Sequence, residues 1–195
     1  MSLLSKASGE NSRKETVKHA ATTGNTFEKI IQDTADYYKE LQLAYIQKSF
    51  PPTRWIPGNA KSGGKGFLMH VKGGKSSHDF VGCYRLSVDE IVWKPIFIEC
   101  KSTKQGQIAI VENEGGIKVE QIKGLLWLDA RGIDAIILWE VRESETVFAF
   151  TPTWLIKAID TKKSLSVNDC IENHAGRVRP VKHEGRIVLD FLGVL

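Results

Sequence analysis

The run "DAIILWEV", residues 134–141, constrains this chain more than any other stretch. It is near-continuously apolar and of strand length. Such a strand is expected where both faces of a sheet are covered. Helices able to supply the covering layers are in the sequence. One follows Asn25 or Thr26 as cap, with Phe27, Ile30, Ile31, Thr34, Ala35, Tyr38 and Leu41 at helical spacing. Another is expected over 118–130, with Val119, Ile122, Leu125, Leu126 and Asp129 along one side.

Further strands are expected at 44–50, stopped by Pro51 and Pro52, at 76–86, at 91–101 and at 146–150. Pro95 weakens the 91–101 segment as a central strand or marks a bulge. A short helix opens near Pro152. Residues 185–192 read as a last strand or an extension. The order is that of an α/β fold, a mixed central sheet flanked by helices. Residues 1–23 read as a flexible polar arm and 24–195 as a single domain, with an insertion at about 53–76.

The segment "FIECKS", 97–102, puts charge at the end of an apolar strand. Strand alternation sets Phe97, Glu99 and Lys101 on one face and Ile98 and Cys100 on the other. If 76–86 and 91–101 pair through the turn between them, Asp79 lies across from Glu99. Two converging carboxylates repel, and one takes up a proton unless a cation intervenes. Mg²⁺ would remove the conflict, since it accepts one or two carboxylates and keeps several waters. Lys101 could then orient or deprotonate an attacking water, which is what phosphodiester hydrolysis needs. The competing reading is a structural charge pair. Glu-x-Lys alone decides little, because at ordinary composition it arises about once in three hundred positions.

Between Arg54 and Asp79 there is no acidic residue, but there are Lys61, Lys65, Lys72 and Lys75 among six glycines. A P-loop is excluded, because Met69 stands where Gly74-Lys75-Ser76 would require glycine. No nucleotide cofactor is expected. The segment reads either as a solvated loop or as a cationic finger for a phosphate backbone. Lys48, Arg54 and Lys104 join it as candidate nucleic-acid contacts. The net charge of +4 permits such a partner without requiring one. The cysteines, Cys83, Cys100 and Cys170, show neither zinc spacing nor a disulfide framework, which points to a reducing, cytosolic compartment. No apolar run is long enough for a membrane span, so no membrane partner is expected.

The order of these features resembles the PD-(D/E)xK nucleases, and more closely the RecU-type Holliday junction resolvases of bacteria and phages. The residues that carry the resemblance are Glu28, Tyr38, Ala44, Ile46 and Lys48, then Ser77, Asp79, Phe80 and Gly82, then Glu99-Cys100-Lys101 and Gln121-Ile122. It implies a restriction-endonuclease-like core with a protruding basic stalk. It implies a homodimer that cuts four-way DNA junctions with Mg²⁺ (or Mn²⁺ in its place), in a bacterial or phage-infected cytoplasm. Asp79, Glu99 and the Cys100 carbonyl would be metal ligands and Lys101 the catalytic lysine. Glu28 and Gln121 would reach the site from two helices, and Ser77 would stand near the metal. Two positions depart from the family pattern: Thr23 replaces arginine before Gly24, and His78, expected on the face opposite Asp79, replaces a proline. Rival readings are a nuclease of the same core acting on other DNA, and a non-catalytic DNA-binding protein.

Overall fold

The computed structural model describes residues 26–49, 78–86, 92–111, 116–160 and 162–194, and the backbone alone of 53–56 and 67–70. Its centre is a mixed sheet of six strands. In chain order these are β1 (Ala44–Lys48), β4 (Phe80–Arg85), β5 (Trp93–Thr103), β8 (Asp134–Val141), β9 (Thr146–Phe150) and β11 (Gly176–Val178), which is also their spatial order. Every neighbouring pair is antiparallel except β5 and β8. That parallel pair needs a crossover. It runs through β6 (Gln107–Val111), β7 (Ile117–Lys118) and helix α2 (Val119–Asp129).

Each face of the sheet carries its own core. Helix α1, residues 26–40, lays Phe27, Ile31, Ala35 and Tyr38 onto Ile46, Phe80, Ile96 and Ile98. On the other face Ile122, Leu125 and Leu128 of α2 join Ile137, Trp139 and Phe148, together with Leu155 of α3 (Pro152–Ile159). Within β8, Ile136 and Leu138 enter the first core and Ile137 and Trp139 the second. Burial on both sides is why its sequence does not alternate. Two predicted helix faces differ at their ends: Leu41 is exposed past the end of α1, and Leu128 rather than its neighbour Asp129 completes the buried side of α2.

Pro95 sits inside β5 although that strand is paired on both sides. The parallel register with β8 begins only at Ile96↔Asp134, so Pro95 precedes the doubly paired portion. A missing N–H is tolerated there.

The described residues form three smaller sheets that the sequence patterning did not announce. One joins β10 (Ser164–Ser166), β6 and β7. Another is the hairpin of β12 (Pro180–His183) and β13 (Arg186–Leu189), where sequence reading expected only a last strand or extension. The third pairs β2 (Thr53–Ile56) with β3 (Phe67–His70), within the basic insertion and apart from the central sheet. Helix α4 (Val167–Glu172) follows β10, capped by Ser166 and Asp169. Among the described residues no helix is long and apolar enough to cross a membrane.

Candidate active site

The antiparallel register of β4 and β5 builds the site. Phe80 pairs with Ile98, so one further step sets Asp79 opposite Glu99. Asp79 is fastened to β1 by its carbonyl, which accepts the Ser49 N–H at 2.7 Å, and to β5 at two further points. Its N–H donates to the Ile98 carbonyl at 2.9 Å, and its Oδ2 accepts the Cys100 N–H at 2.8 Å. Alternation sends Ile98 and Cys100 into the α1-side core and leaves Glu99 and Lys101 on the α2 side.

Glu99 is completely buried. Its Oε1 takes the Lys101 ammonium at 2.6 Å and the Gln121 amide at 2.6 Å. Its Oε2 is buried with no hydrogen-bond partner among the described residues. Gln121 reaches it because of the helix N-terminus. As the third residue of α2, Gln121 turns Oε1 back to accept the Lys118 N–H at 3.2 Å, which aims its NH₂ group at Glu99.

These contacts set the electrostatics. The Glu99 carboxyl is pushed up to about 7, chiefly by burial and next by the charge of Asp79, with Lys101 and Gln121 opposing. Asp79 is also raised, again chiefly by burial, with the Cys100 N–H and Lys101 opposing. The Cys100 thiol is driven well above its ordinary range by burial and by the two carboxylates, so it stays neutral.

Glu28, on α1, is ion-paired with Lys48 at the end of β1, 2.5 Å apart. Both act on Asp79: Glu28 raises its carboxyl and Lys48 lowers it. Sequence reading treated Lys48 as a DNA contact, and nothing in its local pattern announced Glu28 as its partner. Lys104 is exposed just past the end of β5, its carbonyl accepting the Glu143 N–H. Ser77, Lys61, Lys65, Lys72, Lys75 and the Arg54 side chain lie outside the described residues. His78 corrects one expectation. Its ring stands edge-on to Phe97 at 4.6 Å, on the Glu99 side of the sheet rather than the opposite one. His78 precedes β4, and alternation does not reach it.

The donor set fits a small hard cation. Two adjacent carboxylates, both shifted toward protonation, and one buried carboxylate oxygen without a partner are what an oxygen-seeking dication would satisfy. Among the described residues, no cluster of three or more His, Cys, Asp or Glu side chains forms around them.

A mixed sheet with an acid before one strand and Glu-x-Lys on the next, covered by helices on both faces, defines a nuclease-like α/β domain of the PD-(D/E)xK class. A family model decides which branch. The chain belongs to the RecU family, recombination protein U, whose model matches residues 22–195; it is a family of Holliday junction resolvases. A search of curated proteins finds no match.

Proposed function

We propose that this chain is a Mg²⁺-dependent endonuclease that cuts four-way DNA junctions as a homodimer. The observation that carries the reading is Glu99, fully buried and raised to about 7, with Asp79 and Lys101 beside it and one carboxylate oxygen unpartnered. A carboxylate so placed is costly to the fold, and a cation offsets that cost. Membership of the RecU family supplies the substrate class.

Asp79 and Glu99 would hold the metal, with the Cys100 carbonyl as a further ligand. When bound, the metal supplies Lewis acidity at the scissile phosphate. Gln121 and the Cys100 N–H keep the two carboxylates from turning away. Lys101, its side chain 21% exposed and its ammonium 2.6 Å from Glu99 Oε1, would orient the attacking water by donating a hydrogen bond to it. The lysines of the basic insertion would bind backbone phosphates. A two-fold dimer would place two such sites for paired cuts.

The test is cleavage of a synthetic four-way junction against a linear duplex, with and without Mg²⁺. Paired nicks in the junction alone, only with Mg²⁺, are expected. Equal cutting of the duplex would move the assignment to a nuclease with another DNA target. Junction binding without cutting would leave a non-catalytic member of the fold.

A further inference from the structure

Glu28 and Lys48 belong to the site by position, yet neither has a part in the chemistry above. The Lys48 ammonium lies 2.5 Å from Glu28 Oε2, with side chains 52% and 30% exposed. Lys48 pairs with Phe80 across β1 and β4, and the Ser49 N–H donates to the Asp79 carbonyl at 2.7 Å, so the Glu28 carboxylate held by Lys48 lies beside the segment that carries Asp79. An ion pair this exposed is weak, so exchanging its partners costs little. A lysine in the open at the mouth of a phosphodiester site is also a ready phosphate partner. One carboxylate oxygen cannot serve the lysine and a cation equally.

Resting on the metal-nuclease reading of the site, we propose that Lys48 is a positioning residue that latches Glu28 aside, and that a DNA phosphate taking Lys48 releases Glu28 to join Asp79 and Glu99 around the metal. The ligand set would then be completed by the substrate. Metal and DNA would each tighten the binding of the other by the same factor, as linkage requires.

The test is a double-mutant cycle read by calorimetric titration of Mg²⁺ into the full chain without DNA. Lys48→Met should tighten Mg²⁺ by about 3–10-fold, a coupling of ordinary size. In the Glu28→Gln background that gain should vanish. Removal of a positive charge alone would tighten Mg²⁺ equally in both backgrounds, and that result overturns the latch, as does no gain in Lys48→Met. Lys48→Arg, which keeps the cation, should behave as the unmodified chain; melting temperatures of all variants identify any that fail to fold. The DNA half is read as the ratio of junction affinities in Ca²⁺ and in EDTA. The ratio should fall toward one in Lys48→Met, and an unchanged ratio overturns it. If Asp79→Asn and Glu99→Gln leave Mg²⁺ binding intact, the reading of the site itself fails, an outcome distinct from loss of the latch.

Discussion

The Gln121 amide donates to Glu99 Oε1 at 2.6 Å, joining the first turn of α2 to the centre of β5. The same amide oxygen accepts the Lys118 N–H, so one side chain both caps a helix and aims a carboxylate. Gln121→Leu should destabilise the fold by about 1 kcal/mol, through loss of the hydrogen bond that caps the Lys118 N–H. It should lower junction cleavage about 10–100-fold, the usual cost of losing a group that orients a metal ligand. Gln121→Glu would keep the cap acceptor but lose the amide donor and set a second carboxyl beside Glu99 Oε1, so its melting temperature should fall below that of the unmodified chain as pH rises. Reduced cleavage near pH 6, where stability is least affected, would separate the two roles. Unchanged cleavage in both variants would remove Gln121 from the site.

Glu99 makes stability depend on pH in an unusual direction. A carboxyl raised from 4.5 to about 7 binds its proton more tightly in the folded state than in the unfolded chain. Its contribution to stability is therefore full below about pH 4.5 and is lost as pH rises to about 7. At pH 8 without metal the charged form burdens the fold by up to about 3 kcal/mol. Glu99→Gln should raise the melting temperature at pH 8 in EDTA and change it little near pH 4.5. Mg²⁺ should stabilise the unmodified chain at pH 8 and not the variant. Cleavage at limiting Mg²⁺ should rise between pH 6 and 8 as Glu99 ionises. A variant that melts lower than the unmodified chain at pH 8 would contradict the assigned cost.

Gly82 lets β1 lie against β4. A Cβ at that position would meet the Tyr45 carbonyl oxygen at 2.1 Å and the Ile46 Cα at 2.7 Å, both backbone. Neither can move without displacing β1, which carries Lys48. Gly82→Ala should cost about 3 kcal/mol, at the upper end for overpacking. Thermal unfolding checks it, and a shift of only a degree or two would show that the two strands can part.

The sequence made the site more legible than the fold around it. Strand alternation is a local rule: along β5 it sets Glu99 and Lys101 on one face, and the β4–β5 register carried one residue before Phe80 brings Asp79 opposite Glu99. The same rule failed at His78, two residues before β4 begins. Short elements left no periodic trace: β7 has two residues, β10 three, and α4 six. What fixes them is tertiary packing, such as Leu165 and Cys170 entering the α2-side core. Glu28 and Gln121 came from family resemblance. A first-turn glutamate is ordinary by helix-dipole logic, and the reach of Gln121 depends on how α2 sits over β5.

The C-terminal segment, whose role was unreadable in the sequence, is tied to α1 through Tyr38. Its hydroxyl donates to the Leu189 carbonyl at 3.2 Å or Asp190 Oδ1 at 3.1 Å and accepts the Leu192 N–H at 3.2 Å, while Thr34 Oγ1 accepts the Leu189 N–H at 2.9 Å. Tyr38→Phe should cost about 1–2 kcal/mol, because it leaves buried backbone groups unsatisfied. Hydrogen exchange should speed up at residues 189–192 before it does in β5 or β8. Equal protection across both regions would mean that the segment is held by its apolar packing alone.

The basic insertion gives the last prediction. Lys61, Lys65, Lys72 and Lys75 stand in a stretch with no acid between Arg54 and Asp79. If they bind phosphates, each displaces condensed counterions from DNA. Replacing all four with alanine should lower the magnitude of the log K against log salt slope for junction binding by roughly 0.9 for each phosphate no longer neutralised. Magnesium affinity should stay near that of the unmodified chain, since Asp79 and Glu99 belong to other elements. Deleting 59–74 should go further and erase the preference for a junction over linear duplex, because shape reading would be removed while the catalytic sheet remains. A deletion variant that keeps that preference would assign recognition to the central domain, and leave the lysines as general phosphate-binding groups only.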